Sequence, residues 1–250
     1  MPPHLIRAQN PGPLTGAGNN TWLLDGRVPT LVDAGIGHPN HLAAIAEHLG
    51  DRSLARVLVT HGHADHASGA PALMNRWPDV KLCKRLLPAE DRGPWRPLGD
   101  GDRIAAGDDE LIVVATPGHA IDHVCFWNPV TRDVFAGDMV ARDTTILIPA
   151  GRGGGLRAYL HSLGRLADLA PARILPGHGP IIDQPLALIA QYIAHRHERE
   201  AQILACLAEG VTDPDAIVAR VYRGLAKALV PFARQSVEAH LEKIAEDRLS

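Results

Sequence analysis

The segment HGHADH at residues 61–66 places three histidines and one aspartate within six positions, and no other feature constrains the chain as strongly. Each imidazole carries a polar nitrogen that needs a partner, and protonated imidazoles this close together would repel each other. A divalent metal ion removes both difficulties, because neutral imidazole is the commonest metal ligand in proteins and zinc accepts nitrogen and oxygen donors. Alternate residues of an extended segment point the same way, so His61 and His63 can share one ion. Asp65 and His66 can then face a neighbouring ion.

Three more potential ligands each follow a short apolar run that predicts a buried strand. They are His119 after residues 111–115, Asp138 after 134–136 and His178 after 174–175. Strands that each deliver a polar residue on the following turn are how α/β folds assemble active sites along one edge of a sheet. A catalytic ion needs about four donors, one of them water, so these residues can complete the sets begun at 61–66. Asp138 is the carboxylate among the three, and its two oxygens can bridge two ions.

Apolar periodicity predicts the other elements of the chain. Strands are predicted at 21–24, 30–32 and 55–59, and helices at 41–49, 184–207, 212–221 and 235–247. Thr212 and Asp213 are suited to cap the helix at 212–221. Because the pattern becomes helical from residue 184 onward, we expect a main domain with the potential ligands at 1–200 and a small helical module at 201–250.

Composition limits the classes of partner and compartment. The net charge of −3 provides no general electrostatic attraction to a polyanion. The three cysteines are widely spaced and give no disulfide framework, which is typical of a reducing compartment. No secretory signal and no apolar run long enough to span a bilayer is visible. These observations predict a cytoplasmic protein without a membrane partner.

The chain resembles the metallo-β-lactamase superfamily in five motifs that occur in order. The motifs are LVDAG at 31–35, the HGHADH segment, His119, Asp138 and His178. The resemblance implies an α/β (α+β) fold, an αββα sandwich, followed here by a C-terminal helical, winged-helix-like module. It also implies that His61, His63 and His119 bind one ion, that Asp65, His66 and His178 bind a second, and that Asp138 bridges them. Asp33 would orient the ligand segment without binding metal.

Three further stretches are similar to the β-lactamase-like protein 2 branch of this superfamily. They are NPGPLT at 10–15, GNNT at 18–21 and YIAHR at 192–196. Some members of that branch cleave single-stranded RNA, and related proteins are thioesterases on carrier-bound acyl chains. We therefore expect a binuclear hydrolase that uses a metal-bound hydroxide on a small thioester or ester. The alternatives are a single-strand endoribonuclease, which the low aromatic content of 4% disfavours, and a non-catalytic scaffold.

The remaining assignments are tied to this hypothesis. Asp65 and Asp138 are the predicted catalytic residues, and the two ions are expected to be zinc, with manganese and iron as alternatives. Asn20, Asp122 and His123 are candidates to support the ligands or line the pocket. Each of these three also has a plain structural interpretation, as the end of a turn or as a strand residue. The charged residues at 195–200 are interpreted as a solvated helix face, with substrate binding as the alternative. The apolar positions of the tail helices can bury a homodimer contact.

Overall fold

The first of two sheets carries the N-terminal third of the chain. In the computed structural model, which describes residues 2–13, 15–87, 91–142, 146–151 and 154–249, this sheet has six strands in chain order. They are β1 (His4–Arg7), β2 (Asn20–Leu24), β3 (Thr30–Val32), β4 (Arg56–Leu58), β5 (Lys81–Lys84) and β6 (Trp95–Pro97). The pairs β1–β2 and β2–β3 are antiparallel, and the strands from β3 to β6 run parallel.

The second sheet has five strands in the order β11-β10-β9-β8-β7. Their bounds are β7 (Arg103–Ala106), β8 (Asp109–Ala115), β9 (Val124–Asn128), β10 (Asp133–Gly137) and β11 (Arg173–Pro176). Strands β7 to β10 pair antiparallel, whereas β11 joins β10 in parallel. The register between β10 and β11 shifts at Gly137, immediately before Asp138.

Most of the helices cover the outer faces of the two sheets, and the last of them form a C-terminal tail. They are α1 (Pro39–Leu49), α2 (Ala64–Ala67), α3 (Ala70–Arg76), α4 (Leu156–Asp168), α5 (Pro185–Ala208), α6 (Pro214–Val221) and α7 (Val230–Asp247), with a 3-10 turn at Lys227–Leu229. None of the helices in the described ranges is long and apolar enough to cross a bilayer.

The alternation of side chains along each strand explains the layers. In β3, Leu31 packs with residues of α1 and α3, whereas Val32 faces the layer between the sheets. In β10, Val134 and Ala136 pack with α4, and Phe135 between them enters the same inter-sheet layer. A strand has a side-chain period of two, so strands that are apolar at every position fill both layers. The result is an αββα sandwich, as expected.

The tail has an apolar cluster of its own. Ile203 and Cys206 of α5 pack with Ile217 of α6 and Val237 of α7. The Asp213 side chain accepts a hydrogen bond from the Ala216 N–H and caps α6, as the sequence predicts. Helix α7 begins at Val230, earlier than the predicted residue 235, because proline is tolerated in the first turn of a helix. Helix α5 runs uninterrupted through residue 200, and the proposed domain division at that point stays a prediction.

Candidate metal centre

Turns that follow four strands bring the predicted ligands to one place. The chain leaves β4 in an extended segment that carries His61 and His63, and then enters α2, which carries Asp65 and His66. His63 occupies the N-cap position of α2, so the change from extended to helical backbone separates the two halves of the segment. The other predicted ligands follow β8, β10 and β11 and are His119, Asp138 and His178.

The first group contains three imidazoles whose nitrogens converge. His63 Nδ1 lies 2.9 Å from His61 Nε2 and 3.0 Å from His119 Nε2. His61 is fully buried, whereas His63 is exposed at the rim. The three side chains can each offer one ligand atom within 4.8 Å of the others, a spacing that suits one ion.

The second group mixes carboxylate and imidazole ligands. His178 Nε2 lies 3.5 Å from Asp65 Oδ2, and His66 Nε2 lies 3.7 Å from the same oxygen. His66 is fully buried. These three residues also satisfy the spacing for a shared ion.

Asp138 faces both groups. Its Oδ1 lies 3.4 Å from His66 Nε2 and 3.4 Å from His178 Nε2. Its Oδ2 lies 3.5 Å from His119 Nε2. Asp138 Oδ1 is buried and has no hydrogen-bond partner among the described residues. Because burying an unpaired carboxylate oxygen is costly, this geometry fits a divalent cation on each side of the carboxylate.

Asp33 fixes the orientation of His66. Its Oδ2 accepts a hydrogen bond from His66 Nδ1 at 2.8 Å, and its Oδ1 accepts one from the Thr60 N–H at 2.8 Å. A carboxylate can only accept, so the proton of the neutral ring lies on Nδ1 and the Nε2 lone pair points to the metal centre. Asp33 has a positive φ of 66°, which aspartate tolerates better than most residues.

His119 and His123 are fixed in the same way but serve different purposes. The Leu147 carbonyl accepts a hydrogen bond from His119 Nδ1 at 2.7 Å, which leaves Nε2 for an ion. His123 is fully buried, and its Nε2 accepts the Asp138 N–H at 3.1 Å. Its Nδ1 therefore donates to Thr116 Oγ1 at 2.9 Å. His123 thus supports the turn that carries Asp138.

The adjacent asparagines Asn19 and Asn20 support different parts of the site. Asn20, which the sequence singles out, donates to the carbonyls of Pro176 at 2.8 Å and Gly179 at 2.9 Å, and so holds the turn that carries His178. Asn19, which sequence reasoning missed, is fully buried and donates to Asp65 Oδ2 at 2.9 Å. The pair of adjacent asparagines was the sequence signal that could have indicated Asn19. Which of the two faces the ligands depends on where β2 begins, and the structure places its first residue at Asn20.

A cavity of about 520 Å³ opens beside His63 and His119. Leu87, Ile121 and Pro149 contribute its apolar wall. At its polar end, Asp122 Oδ2 lies 3.1 Å from Lys84 Nζ, and both side chains are almost fully buried. Asp122 therefore faces the cavity beside the ligands, where its described ionic partner is Lys84.

Helix α5 contacts the segment that follows Asp138, at a residue for which the sequence interpretation is wrong. Arg196, assigned to a solvated face, is only 5% exposed and donates to the Ile146 carbonyl at 2.6 Å. Tyr192, one turn earlier, donates to the Ala141 carbonyl at 2.8 Å. His195 and His197, which flank Arg196 in the chain, are exposed, as the solvated-face interpretation predicts. The helical period separates these residues onto different faces.

The electrostatics of the ligands differ between the two groups. Burial and the neighbouring imidazoles lower the pKa of His61 and His63, so both are neutral and ready to bind a cation. Burial also opposes the charged form of His178, but the carboxylates of Asp138 and Asp65 raise its pKa to about 9. In the absence of a cation, the two carboxylates therefore stabilise the protonated, positively charged form of His178, which supports the fit of this site to positive charge.

The sequence matches the family described as "Metallo-beta-lactamase superfamily" over residues 14–178. Residues 214–249 match the "Beta-lactamase associated winged helix domain".

Similar proteins include "Lactamase-like protein vrtG" of Penicillium aethiopicum, 35% identical over 97% of this chain and 81% of the relative. The "Beta-lactamase-like protein 2 homolog" of Caenorhabditis elegans is 32% identical over 97% of this chain and 83% of the relative. The "Atrochrysone carboxyl ACP thioesterase" of Aspergillus chevalieri is 33% identical over 83% of this chain and 67% of the relative.

Solved structures share the fold. A beta-lactamase domain protein from Burkholderia ambifaria superimposes with a TM-score of 0.81 at 27% identity, covering 92% of this chain and 82% of the other. The protein TTHA1623, solved in a di-iron-bound form, gives a TM-score of 0.60 at 30% identity, covering 73% of this chain and 96% of the other.

Proposed function

The chain belongs to the metallo-beta-lactamase superfamily, and from this membership we propose that it hydrolyses small thioesters or esters with two divalent metal ions. The position of Asp138 carries the proposal, because its two oxygens face the two ligand groups separately. A carboxylate between two ligand groups can hold two ions close together, as two-metal hydrolases do.

The donors suit zinc, with manganese or iron as alternatives, since imidazole and carboxylate ligands accept all three metals. His61, His63 and His119 would hold one ion, Asp65, His66 and His178 the other, and Asp138 both. When bound, the ions would supply Lewis acidity and lower the pKa of a coordinated water from about 15.7 to about 7.

The protein's own residues would orient the attacking water. Burial raises the pKa of Asp65, but the neighbouring His178 and His66 lower it overall, so this carboxylate is ionised. Asn19 holds Asp65 Oδ2, which leaves the carboxylate fixed against the second ligand group. In the proposed reaction, water adds to the acyl carbon, the carbon–sulfur or carbon–oxygen bond breaks, and the products are a carboxylic acid and a thiol or an alcohol.

The cavity beside His63 and His119 supports a small acyl substrate. Its volume of about 520 Å³ lies in the range of small-molecule sites, and its wall combines apolar side chains with a few polar ones. Similarity to the Aspergillus chevalieri thioesterase favours the same chemistry. Similarity to the β-lactamase-like protein 2 homologs, together with the winged-helix match in the tail, favours single-stranded RNA as the second candidate.

The test compares both substrate classes with one preparation of metal-loaded protein. We expect release of thiol from short acyl thioesters by the wild type and a loss of at least about 100-fold in kcat for Asp65→Ala, since misplacement of a reacting group typically costs that much. Asp51→Ala, at an exposed aspartate, is the matched control and should retain full activity.

Cleavage of labelled RNA that depends on Asp65, with no thioester turnover, would replace the first candidate by the second. Metal content of the same samples should show two ions per chain in the wild type and fewer in Asp65→Ala. Turnover unaffected by Asp65→Ala would contradict the proposed site altogether.

A further inference from the structure

Helix α5 contacts the chain segment that follows the predicted ligand Asp138. This segment, residues 139–148, follows Asp138 and is described at 139–142 and 146–148. On one side the Leu147 carbonyl receives the hydrogen bond of His119 Nδ1, at 2.7 Å. On the other side, the adjacent Ile146 carbonyl receives the hydrogen bond of Arg196 Nη2, at 2.6 Å. The successive carbonyls of Ile146 and Leu147 therefore connect Arg196 of α5 to His119 Nδ1, the ring nitrogen that does not face the metal centre.

The same guanidinium is connected to the start of the segment. Arg196 Cζ lies 5.7 Å from the centre of the Tyr159 ring, a distance at which a cation is attracted to the aromatic face. The Tyr159 hydroxyl donates to the Met139 carbonyl at 2.7 Å, one residue after Asp138. Tyr192 of α5 donates to the Ala141 carbonyl at 2.8 Å. The segment is thus held at both ends by α4 and α5.

The burial of Arg196 is costly and needs a reason. Its side chain is 95% removed from solvent, with a relative exposure of 5%, and Nε has no hydrogen-bond partner among the described residues. Burial of a charged group without full hydrogen bonding reduces stability, and an apolar residue at this position would pack at lower cost. The orientation of a histidine ligand, in contrast, depends on the group that accepts a hydrogen bond from its other ring nitrogen.

We propose that Arg196 is a positioning residue of the metal centre, which acts through Ile146 and Leu147 on His119. The helix that leads into the tail module then has a role in the geometry of the first ligand group. This inference concerns metal binding, and it can be tested without any substrate.

Arg199 offers a matched control on the same helix. Its Nη1 donates to the Val221 carbonyl at 3.1 Å, and its Cζ lies 4.0 Å from the centre of the Tyr222 ring. Arg199 therefore makes the same two kinds of contact as Arg196, but with the tail instead of the segment that supports His119. Truncation of either arginine removes the same two kinds of contact, and only truncation of Arg196 should alter the metal centre.

The experiment measures zinc affinity by chelator competition, and the absorption spectrum of the cobalt-substituted protein, for the full-length chain. We expect Arg196→Met to weaken binding of at least one ion by about 10- to 100-fold and to change the cobalt spectrum. Arg196→Lys, which can still donate to the Ile146 carbonyl, should recover part of the affinity. Arg199→Met should match the wild type in both measurements.

Tyr192→Phe provides a second variant if Arg196→Met does not fold, because it removes the hydroxyl that donates to Ala141 and keeps the ring. We expect it to weaken metal affinity in the same direction. Affinities and spectra of the Arg196 and Tyr192 variants equal to those of Arg199→Met would overturn the proposal. Absence of metal binding by the wild type would instead contradict the proposed function.

Discussion

Asp33 shows how a residue that binds no metal can decide the geometry of a ligand. Its carboxylate accepts from the His66 Nδ1–H and from the Thr60 N–H, at 2.8 Å each. We expect Asp33→Ala to free the His66 ring and to leave both donors buried without an acceptor. The affinity for the second ion should fall by about 10- to 100-fold, and the free energy of unfolding should fall by about 1–3 kcal/mol.

Chelator competition and denaturant unfolding measure these two effects of Asp33→Ala. Asp79→Ala, at an exposed aspartate, is the control and should leave both unchanged. A variant at position 33 with wild-type metal affinity would show that His66 does not depend on this carboxylate.

Metal affinity should depend on pH because protons and cations compete for the same nitrogens. The carboxylates of Asp138 and Asp65 raise the pKa of His178 to about 9 in the metal-free protein, against the opposing effect of burial. Binding of a metal must therefore displace a proton, and the affinity should rise as the pH increases from 6 toward 9.

Calorimetric titration at one pH, in two buffers with different ionisation enthalpies, measures this proton release. We expect at least one proton to be released per chain at pH 7.5, and fewer in His178→Gln. A titration heat that is independent of the buffer would show that His178 is unprotonated before the metal binds.

The turn after β11 illustrates a constraint at the scale of a secondary-structure element. Gly177 lies between this strand and His178, and a Cβ atom at this position would lie 2.7 Å from His66 Cε1 and 2.8 Å from Asp138 Oδ1. We expect Gly177→Ala to displace the second ligand group, with loss of one ion per chain while the first group keeps its ion.

Gly164→Ala is the control for the Gly177 variant, because nothing lies within 4 Å of a Cβ at this position. Gly164 lies in α4, so alanine there should leave metal content unchanged and raise stability by about 0.5–1 kcal/mol. Metal content by elemental analysis distinguishes the two variants. Two ions in Gly177→Ala would contradict the tight packing at this turn.

The elements that could be predicted from the sequence are those with a strong local pattern. Strand β3 and the ends of α1 and α7 match their apolar periodicity, and each ligand follows a strand that was predicted. Strands β1 and β5–β7 were missed because they are short and partly exposed, so they lack a continuous apolar run. Strand β9 is buried throughout but directly follows the His119 turn, and α4 follows a glycine-rich stretch that suggests a loop.

The supporting contacts of the site were harder to predict than its ligands. The spacing of the ligands within 61–66 has a local chemical meaning, whereas Asn19 reaches Asp65 only through the tertiary fold. Arg196 was assigned to a solvated face because acidic and basic residues surround it in the chain. Its burial follows from contacts with Ile146 and Tyr159, which no local pattern reveals.

Stability of the whole molecule should decrease on acidification because of histidines that are buried in neutral form. Burial lowers the pKa of His41 to about 4, with a smaller contribution from His38, and the His41 ring lies 2.8 Å from Thr21 Oγ1. The unfolded chain binds a proton near pH 6.5, whereas the folded protein binds it only near pH 4. The stability contributed by this residue is therefore complete above pH 6.5 and is lost progressively down to about pH 4.

Denaturant unfolding between pH 7.5 and pH 4.5 measures this loss, which is limited to about 3 kcal/mol for His41. We expect His41→Gln, which retains hydrogen-bonding capacity and does not titrate, to show a smaller decrease than the wild type. Equal pH dependence of the two proteins would exclude His41 as a source of acid sensitivity.

The placement of Asp138 between the two ligand groups has a consequence for the lifetime of the protein. Its turn belongs to the second sheet, whereas the segment at 61–66 follows a strand of the first, so the bound ions would act as removable cross-links between the halves of the sandwich. A ligand that binds only the folded state stabilises it by mass action, and scarcity of metal would then raise the unfolded fraction. We expect a chelator to lower the unfolding temperature and to accelerate proteolysis. Metal supply would thus govern how much of this protein persists in a cell, in addition to how fast each molecule works.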